Sequence, residues 1–266
     1  MYQELLSSAK PGFIIIMIDQ SSSMSDSYAN STKAEFAALA VNKVIEEIIL
    51  SCSSGSVIKD RCYVAVVGYG TGVNIIFLEK VSDLAKNTNT ETRKKKVSDG
   101  AGGLVEVNEM IRVFVKPTAS GGTPMAEGFQ QVYKGVEKFV SNNPNSFPPI
   151  VINITDGEPN SFDTATTEAK KLAQLKTTDG NVIILNAHIS TASAGKIELP
   201  SSNSGFSGNK FANFLFDISS VLPDILAESA KNAGFNVQPG ARGFVFNADA
   251  ETLIKLLNFG SQGSLR

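Results

Sequence analysis

The sequence predicts an α/β fold with a doubly wound, mostly parallel sheet, one antiparallel edge strand and helices on both faces. Two apolar runs, 13–18 and 150–154, are typical of strands buried on both faces of a sheet. Patterns with helical spacing alternate with such strands along the chain, as in doubly wound domains. Strands predicted at 63–70 and 73–78 are joined by a link too short for a parallel crossover, so this pair must be antiparallel.

Local signals predict the remaining elements in chain order. Thr32 and Glu35 have the spacing of a capping box and begin a helix predicted over 32–50. The polar segment 80–117 is expected to be an insertion with short strands such as 111–115. Further helices are predicted at 124–140, 163–175, 219–233 and from 248 onward, strands at 182–189 and 242–247, and a loop over 191–212. We therefore expect a single domain over 1–266, with insertions at 80–117 and 191–212.

Composition limits the classes of partner and compartment. The chain has 266 residues, of which 42% are hydrophobic, and a net charge of -2, so nothing favours binding to nucleic acid. It contains no apolar run long enough to cross a membrane and no pattern of a secretory signal, so we expect a cytoplasmic protein that does not bind membranes. Cys52 and Cys62 could approach each other, and in the cytosol we expect both to be reduced. The oligomeric state is left open.

Oxygen donors follow the ends of two predicted strands. Asp19, Ser21 and Ser23 come after the first apolar run, and Asp156 comes after the run at 150–154. Ligands of open α/β sheets bind at the carboxyl ends of the strands, where these side chains would meet. Carboxylates and hydroxyls are hard donors that suit Mg²⁺. A serine-rich turn that caps the next helix remains the alternative interpretation.

A third segment, Gly121-Gly122-Thr123-Pro124, adds a hydroxyl. The two glycines allow the backbone to approach another group closely, and Pro124 stands at the predicted first position of a helix. A plain N-cap would explain Thr123 but not the glycine pair before it.

Two further features have both a structural and a functional interpretation. His188, the only histidine, lies near a strand end on the same side as Asp19 and Asp156; the structural interpretation is favoured. The basic run 93–96 is interpreted as a solvated loop rather than as a contact for an acidic partner.

Taken together, Asp19-x-Ser21-x-Ser23, Thr123 after a glycine pair and Asp156-Gly157 resemble the three metal-site segments of von Willebrand factor type A (VWA) domains. They occur in the family's order, and the resemblance covers roughly 11–258. Gln20 replaces a small or hydroxyl residue often found there, at a position that is not a ligand. Gly-Gly-Thr-Pro before a helix resembles bacterial intracellular members, including tellurium-resistance-type proteins, more than integrin inserts.

The resemblance implies a metal-ion-dependent adhesion site (MIDAS). Ser21, Ser23 and Thr123 would bind Mg²⁺, or Mn²⁺ or Ca²⁺, directly, whereas Asp19 and Asp156 would act mainly through water. An open position on the metal would accept an Asp or Glu side chain from a protein partner. A metal-assisted hydrolase acting on phosphate esters or peptides is the alternative, and a nucleotide binder is a third. The sequence lacks a nucleophile–base motif and a phosphate-binding loop, which favours a binding module over an enzyme.

Overall fold

The computed structural model describes residues 1–28, 31–98, 104–190 and 195–262. Within them the helices are α1 Lys33–Ser51, α2 Val81–Leu84, α3 Met125–Asn142, α4 Phe162–Gln174, α5 Lys210–Ile218, α6 Asp224–Asn232 and α7 Ala250–Gln262, with a 3-10 turn at Ser22–Ser25. The longer strands are β1 Gly12–Asp19, β6 Cys62–Tyr69, β7 Val73–Lys80, β8 Thr90–Ser98, β9 Leu104–Arg112, β10 Ile150–Thr155, β13 Ile183–Ile189 and β15 Phe244–Ala248. The two-residue strands are β2 Ser27–Tyr28, β3 Ser31–Thr32, β4 Ser53–Ser54, β5 Val57–Ile58, β11 Lys176–Thr177, β12 Gly180–Asn181 and β14 Ile197–Glu198.

A seven-stranded sheet, in the order β14-β15-β13-β10-β1-β6-β7, forms the centre of the described part of the chain. Strands β6, β1, β10, β13 and β15 are parallel, and β7 pairs antiparallel with β6 at one edge. The predicted fold class is therefore confirmed. The two-residue strand β14 adds an antiparallel pairing at the opposite edge.

Strand β1 is buried on both faces because its neighbouring residues point to opposite sides of the sheet. Ile14, Ile16 and Ile18 pack in a core with α1, α6 and α7. Phe13, Ile15 and Met17 pack in a second core with α3, α4 and α5. The uninterrupted apolar run in the sequence is therefore the consequence of a layer of helices on each face.

The segment 80–117 differs from its prediction. It contains the short helix α2 and a long antiparallel hairpin, β8–β9, which pairs with itself and forms a sheet separate from the central one. The basic run 93–96 lies on β8 and is not a loop. Opposite charges across the hairpin explain why this polar sequence is extended: Arg93 is opposite Glu109, and Lys94 forms an ion pair with Glu106 at 3.1 Å.

The predictions at 191–212 and 219–233 were also partly wrong. Residues 191–194 lie outside the described residues, but β14 and the start of α5 fall within the predicted loop. Asn209 caps α5 by accepting a hydrogen bond from the Ala212 amide, a signal obscured by the surrounding Ser and Gly residues. The helix predicted from 219 begins at Asp224, because Pro223 occupies its N-cap and the residues before it are extended.

Candidate metal centre

The order of the strands creates a crevice at the carboxyl end of β1. The chain continues from β1 to β6 on one side, whereas β10 pairs with β1 on the other side. Asp19 is the last residue of β1, and Asp156 directly follows β10. Neighbouring strands whose connections lead in opposite directions form the usual ligand crevice of open α/β sheets. The structure thus brings the two predicted carboxylates together.

Backbone hydrogen bonds hold together the first site loop (20–26) and the second site loop (118–124). The Ser120 amide donates to the Gln20 carbonyl at 2.7 Å, and the Ser22 amide donates to the Gly121 carbonyl at 3.0 Å. Gly121 has a φ of 83°, and a Cβ on it would lie 2.5 Å from the backbone of Thr71. Glycine is therefore required there, as the glycine pair suggested.

Asn160 connects the third site loop (156–160) to the second. Its side-chain oxygen accepts a hydrogen bond from the Thr123 amide, and its own amide donates to the Thr123 carbonyl, both at 3.0 Å. Sequence reasoning missed Asn160, although an Asn shortly before a helix is a known turn and capping signal. Its two hydrogen bonds fix the backbone that presents Thr123.

Asp19 is fully buried, and its carboxylate is held by two hydrogen bonds. The Ser21 amide donates to one oxygen at 2.8 Å, and the Thr155 hydroxyl donates to the other at 2.7 Å. No side chain in the described part of the chain forms an ion pair with it. Burial raises the pKa of Asp19 to about 6, with a small further increase from the charge of Asp156. Thr155 is a second residue that the sequence analysis missed.

Three oxygens form a continuous chain across the crevice. The hydroxyls of Ser21 and Ser23 are 3.1 Å apart, and the Ser23 hydroxyl donates to Asp156 Oδ1 at 2.8 Å. The second oxygen of Asp156 accepts from Lys33 Nζ at 2.7 Å. The Asp156 carboxylate is thus inaccessible to solvent and already paired with a cation. Lys33 is a third residue that the sequence analysis missed.

Thr123 is 8% exposed, and its hydroxyl makes no hydrogen bond with any described residue. A Cβ placed on Gly157 would lie 3.9 Å from this hydroxyl and 3.7 Å from that of Ser23, so the two hydroxyls face the same space. Thr123 is not the N-cap of α3, which is Pro124, so α3 begins one residue later than predicted. Capping of α3 therefore does not explain the presence of the Thr123 side chain.

The donor set fits a small dication. Six oxygens about 2.1 Å from Mg²⁺ place neighbouring ligands about 3 Å apart, close to the 3.1 and 2.8 Å spacings of the Ser21, Ser23 and Asp156 oxygens. Within the described ranges no group of three or more His, Cys, Asp or Glu side chains is placed to hold a metal, so a site here depends on hydroxyl donors. The buried and uncompensated charge of Asp19 also favours a nearby cation.

Comparison with solved structures agrees with this architecture. The pilus adhesin SpaC from Lactobacillus rhamnosus GG has a TM-score of 0.58 at 14% identity, over 98% of this chain and 31% of SpaC. Proximal thread matrix protein 1 (PTMP1) from the mussel byssus has a TM-score of 0.52 at 16% identity, over 98% of this chain and 49% of PTMP1. Manganese-loaded TRAP from Plasmodium vivax has a TM-score of 0.47 at 17% identity, over 96% of this chain and 74% of TRAP.

The neighbours include VWA domain proteins. The chain has a VWA-like fold. It spans about half the length of PTMP1 and about a third of SpaC. PTMP1 has also been solved with zinc in its MIDAS motif. No protein-family model matches the sequence, and no curated protein matches it. At such identities the likeness establishes the fold, and the function has to be argued from the residues of this chain.

His188 lies beside the crevice of this VWA-like fold, and its Nδ1 is engaged in a hydrogen bond. Nδ1 accepts from the Asn247 amide at 3.2 Å, so the neutral ring carries its proton on the other nitrogen and has no free lone pair. The ring stacks on Phe246 with 4.2 Å between centroids and meets Phe211 edge-on. Burial lowers the pKa of His188 to about 4. These contacts support the structural interpretation of the histidine.

A groove of about 850 Å³ begins beside the first and second site loops. Gln20 and Ser120 line the groove together with β7 residues such as Asn74 and Ile76. Thr90 and Glu91, at the base of the β8–β9 hairpin, also line it. The groove thus provides a concave, mixed polar and apolar surface next to the crevice.

The described part of the chain contains no helix that is both long and apolar enough to span a membrane.

Proposed function

We propose that this chain is a metal-dependent protein-interaction module of the VWA family. Ser21, Ser23 and Thr123 would bind the dication directly, and Asp19 and Asp156 would bind it through water. The observation that carries the proposal is the set of hydroxyls converging beside the buried Asp19, with spacings that match neighbouring metal ligands. The free hydroxyl of Thr123 supports it further.

Bound there, Mg²⁺ would supply an electrophilic position for a carboxylate from outside. The chain's own residues prepare that position. The hydroxyls add no charge, and Lys33 already neutralises Asp156, so little negative charge is left to weaken the attraction for another carboxylate. We propose that a protein partner supplies this Asp or Glu and that its flanking residues lie in the groove lined by β7.

Binding is preferred to hydrolysis because the described residues of the crevice offer no free base: both oxygens of Asp19 and both oxygens of Asp156 already accept hydrogen bonds. A general base must have a nitrogen or oxygen within reach of the attacking water. The one lone pair of the neutral His188 ring, on Nδ1, accepts from the Asn247 amide, and burial lowers the pKa of His188 to about 4. A screen of phosphate esters and peptides with Mg²⁺ tests this, since turnover that is lost in the Asp19→Asn variant would favour the hydrolase alternative.

The finer parts of the assignment belong to the same proposal. We propose Mg²⁺ as the physiological ion, with Mn²⁺ or Ca²⁺ as substitutes, and residues 1–266 as one domain with insertions at 80–117 and 191–212. The Gly121-Gly122-Thr123-Pro124 segment before α3 supports a bacterial, intracellular member of tellurium-resistance type.

A cytoplasmic site of action predicts two reduced thiols. Cys52 and Cys62 are both buried and free, and interaction with Cys62 lowers the pKa of Cys52. Protein from a reducing cytosol should therefore give about two reactive groups per chain with a thiol reagent in denaturant without reductant, and slow reaction in the native state. Finding none in denaturant would indicate a disulfide and an oxidising compartment.

The partner carboxylate can be tested with paired peptides. An array of acidic peptides, each with a twin in which Asp or Glu is replaced by Asn or Gln, is probed with the protein in Mg²⁺ and in EDTA. We expect a subset of acidic peptides to be bound only in Mg²⁺, with their amide twins not bound.

The matched variants for that array are Ser23→Ala and Ser25→Ala. Both serines lie in the first site loop, but the Ser25 hydroxyl is exposed and bonds the Ser22 carbonyl, away from the crevice. Ser23→Ala should lose the metal-dependent signal and Ser25→Ala should keep it. Equal retention by both variants, or binding that ignores EDTA, would contradict a carboxylate held through the metal.

A further inference from the structure

Lys33 is a buried cation at the edge of the crevice. Its side chain is 10% exposed, and Nζ lies 2.7 Å from Asp156 Oδ2 and 3.0 Å from Asp26 Oδ2. The Asp156 side chain is inaccessible to solvent, whereas that of Asp26 is 63% exposed. The contact with Asp156 is therefore the desolvated one, and it is the stronger of the two electrostatically.

The position of Lys33 is unfavourable for a lysine in two ways. It is the first residue of α1, where the partial positive charge of the helix N-terminus repels a cation. Its ammonium group also loses most of its hydration, which costs free energy unless a counter-charge is present. The capping box of Thr32 and Glu35 stabilises the helix start independently of Lys33. Helix formation therefore does not explain the lysine, but the charge of Asp156 does.

We propose that Lys33 is a built-in counter-cation of the metal site, which keeps the site assembled without a dication and lowers its affinity for one. This inference rests on the proposed function, because it concerns the same site. Without Lys33, Asp19 and Asp156 would face each other as two buried carboxylates with no cation. With Lys33, one of the two is neutralised, so the fold does not depend on the metal.

The same charge opposes metal binding. The Asp156 carboxylate connects the ammonium group to the proposed metal ligands: one of its oxygens accepts from Lys33, and the other accepts from the Ser23 hydroxyl. A dication next to Ser23 is therefore repelled by Lys33 across a poorly solvated gap. We expect the site to bind Mg²⁺ more weakly than a site in which neither carboxylate has a cation beside it. A bound ion whose positive charge is less neutralised by the protein would bind a carboxylate from a partner more readily.

The test uses Lys33→Met, which keeps the unbranched apolar stem of the side chain and removes the ammonium group. The metal affinities of wild type and variant are measured by calorimetric titration with Mg²⁺ and with Mn²⁺, and apo stability is measured by urea unfolding in EDTA. Lys33→Met should bind Mn²⁺ with a Kd lower by about tenfold or more, because a like charge has been removed. It should unfold at a lower urea concentration than wild type in EDTA, and added metal should restore its stability.

Two further variants distinguish the effect of the Lys33 charge from a general effect of replacing a lysine. Lys43→Met removes a charge from the same helix, in a half-exposed pair with Glu109 at 3.3 Å, and should leave the Kd unchanged. Lys33→Arg keeps the charge and should resemble wild type. If Lys33→Met fails to fold in EDTA, Lys33→Gln, which can still donate a hydrogen bond to Asp156, replaces it in the titration.

The outcomes distinguish this inference from the proposed function. An unchanged or weaker Kd in Lys33→Met, with wild type binding metal, would overturn the counter-cation alone. Metal binding by Lys33→Met but not by wild type would support it strongly. If neither protein binds Mg²⁺ or Mn²⁺ at millimolar concentration, the metal site itself is wrong and the inference falls with it.

Discussion

Asp19 is a carboxyl group at the buried end of β1 with no cation beside it in the described part of the chain. Burial raises its pKa from 3.8 to about 6 in the folded protein, whereas in the unfolded chain it titrates near the unshifted value. Between these two pKa values Asp19 is protonated in the folded protein but ionised in the unfolded chain. The free energy of unfolding therefore falls as pH rises from about 4 to about 6, by about 3 kcal/mol for this group.

Asp19→Asn should remove that pH dependence. In EDTA at pH 7 the variant should be more stable than wild type by about 1–2 kcal/mol, since the relief of buried charge exceeds the loss of one hydrogen bond. At pH 4 the two should differ little. Urea unfolding in EDTA at several pH values measures this, and parallel curves for the two proteins would contradict an uncompensated carboxylate at Asp19.

Thr123 tests the metal ligands with little disturbance to the fold. Its hydroxyl makes no hydrogen bond with any described residue, and the cap of α3 is Pro124. Thr123→Ala should therefore change the stability in EDTA by no more than about 1 kcal/mol, the cost of one buried methyl group. It should weaken Mg²⁺ binding by about tenfold or more, because one direct ligand is lost. Calorimetric titration measures this, with Ser25→Ala as the control; an unchanged Kd would remove Thr123 from the ligand set.

At the scale of elements, the strands that carry the site were predictable from the sequence, but the side-chain contacts between distant segments were not. An apolar run followed at once by Asp19 indicates a buried strand with a polar end, and the same pattern precedes Asp156. The contributions of Thr155, Asn160 and Lys33 depend on contacts between segments far apart in the chain, up to 136 residues for Thr155 and Asp19. No local pattern encodes such contacts.

The hairpin β8–β9 was missed for a related reason. Strand β8 is polar at every position except Val97, so the alternation of apolar and polar residues that marks a half-buried strand is absent there, although β9 carries apolar residues such as Val105 and Val107. What holds it is pairing within itself, including the ion pair of Lys94 with Glu106, and side contacts to α1 such as Arg112 with Glu46 at 3.0 Å. Its contacts are thus mainly internal or peripheral to the central sheet.

This predicts that the hairpin can be shortened without loss of the site. Replacing residues 92–110 with a two-residue Asn-Gly turn should keep the central sheet and change the Mg²⁺ affinity by less than about twofold, because no site oxygen contacts the residues of that segment that the structure describes. Circular dichroism and metal titration check the result. A variant that folds but no longer binds metal would show that the hairpin supports the crevice.

For the whole molecule, the central question is how much of its stability is linked to metal. The fold has two apolar cores, one on each face of the sheet, and a site already held together by Ser23, Asp156 and Lys33. Such a protein should fold without metal and gain stability from it by mass action, since the unfolded chain does not assemble the site. The gain should then depend on the concentration of free metal.

A metal concentration one hundred times the Kd adds about 2.7 kcal/mol to the free energy of unfolding, which for a domain of this size raises the Tm by roughly 5–10 °C. We expect such a rise in 10 mM Mg²⁺ relative to EDTA, measured by differential scanning fluorimetry, and a further rise with each tenfold increase in Mn²⁺. Thr123→Ala should show less of it and Ser25→Ala all of it. Equal shifts in all three proteins would indicate a general effect of ions on the surface, because only a site that includes the Thr123 hydroxyl distinguishes the two variants.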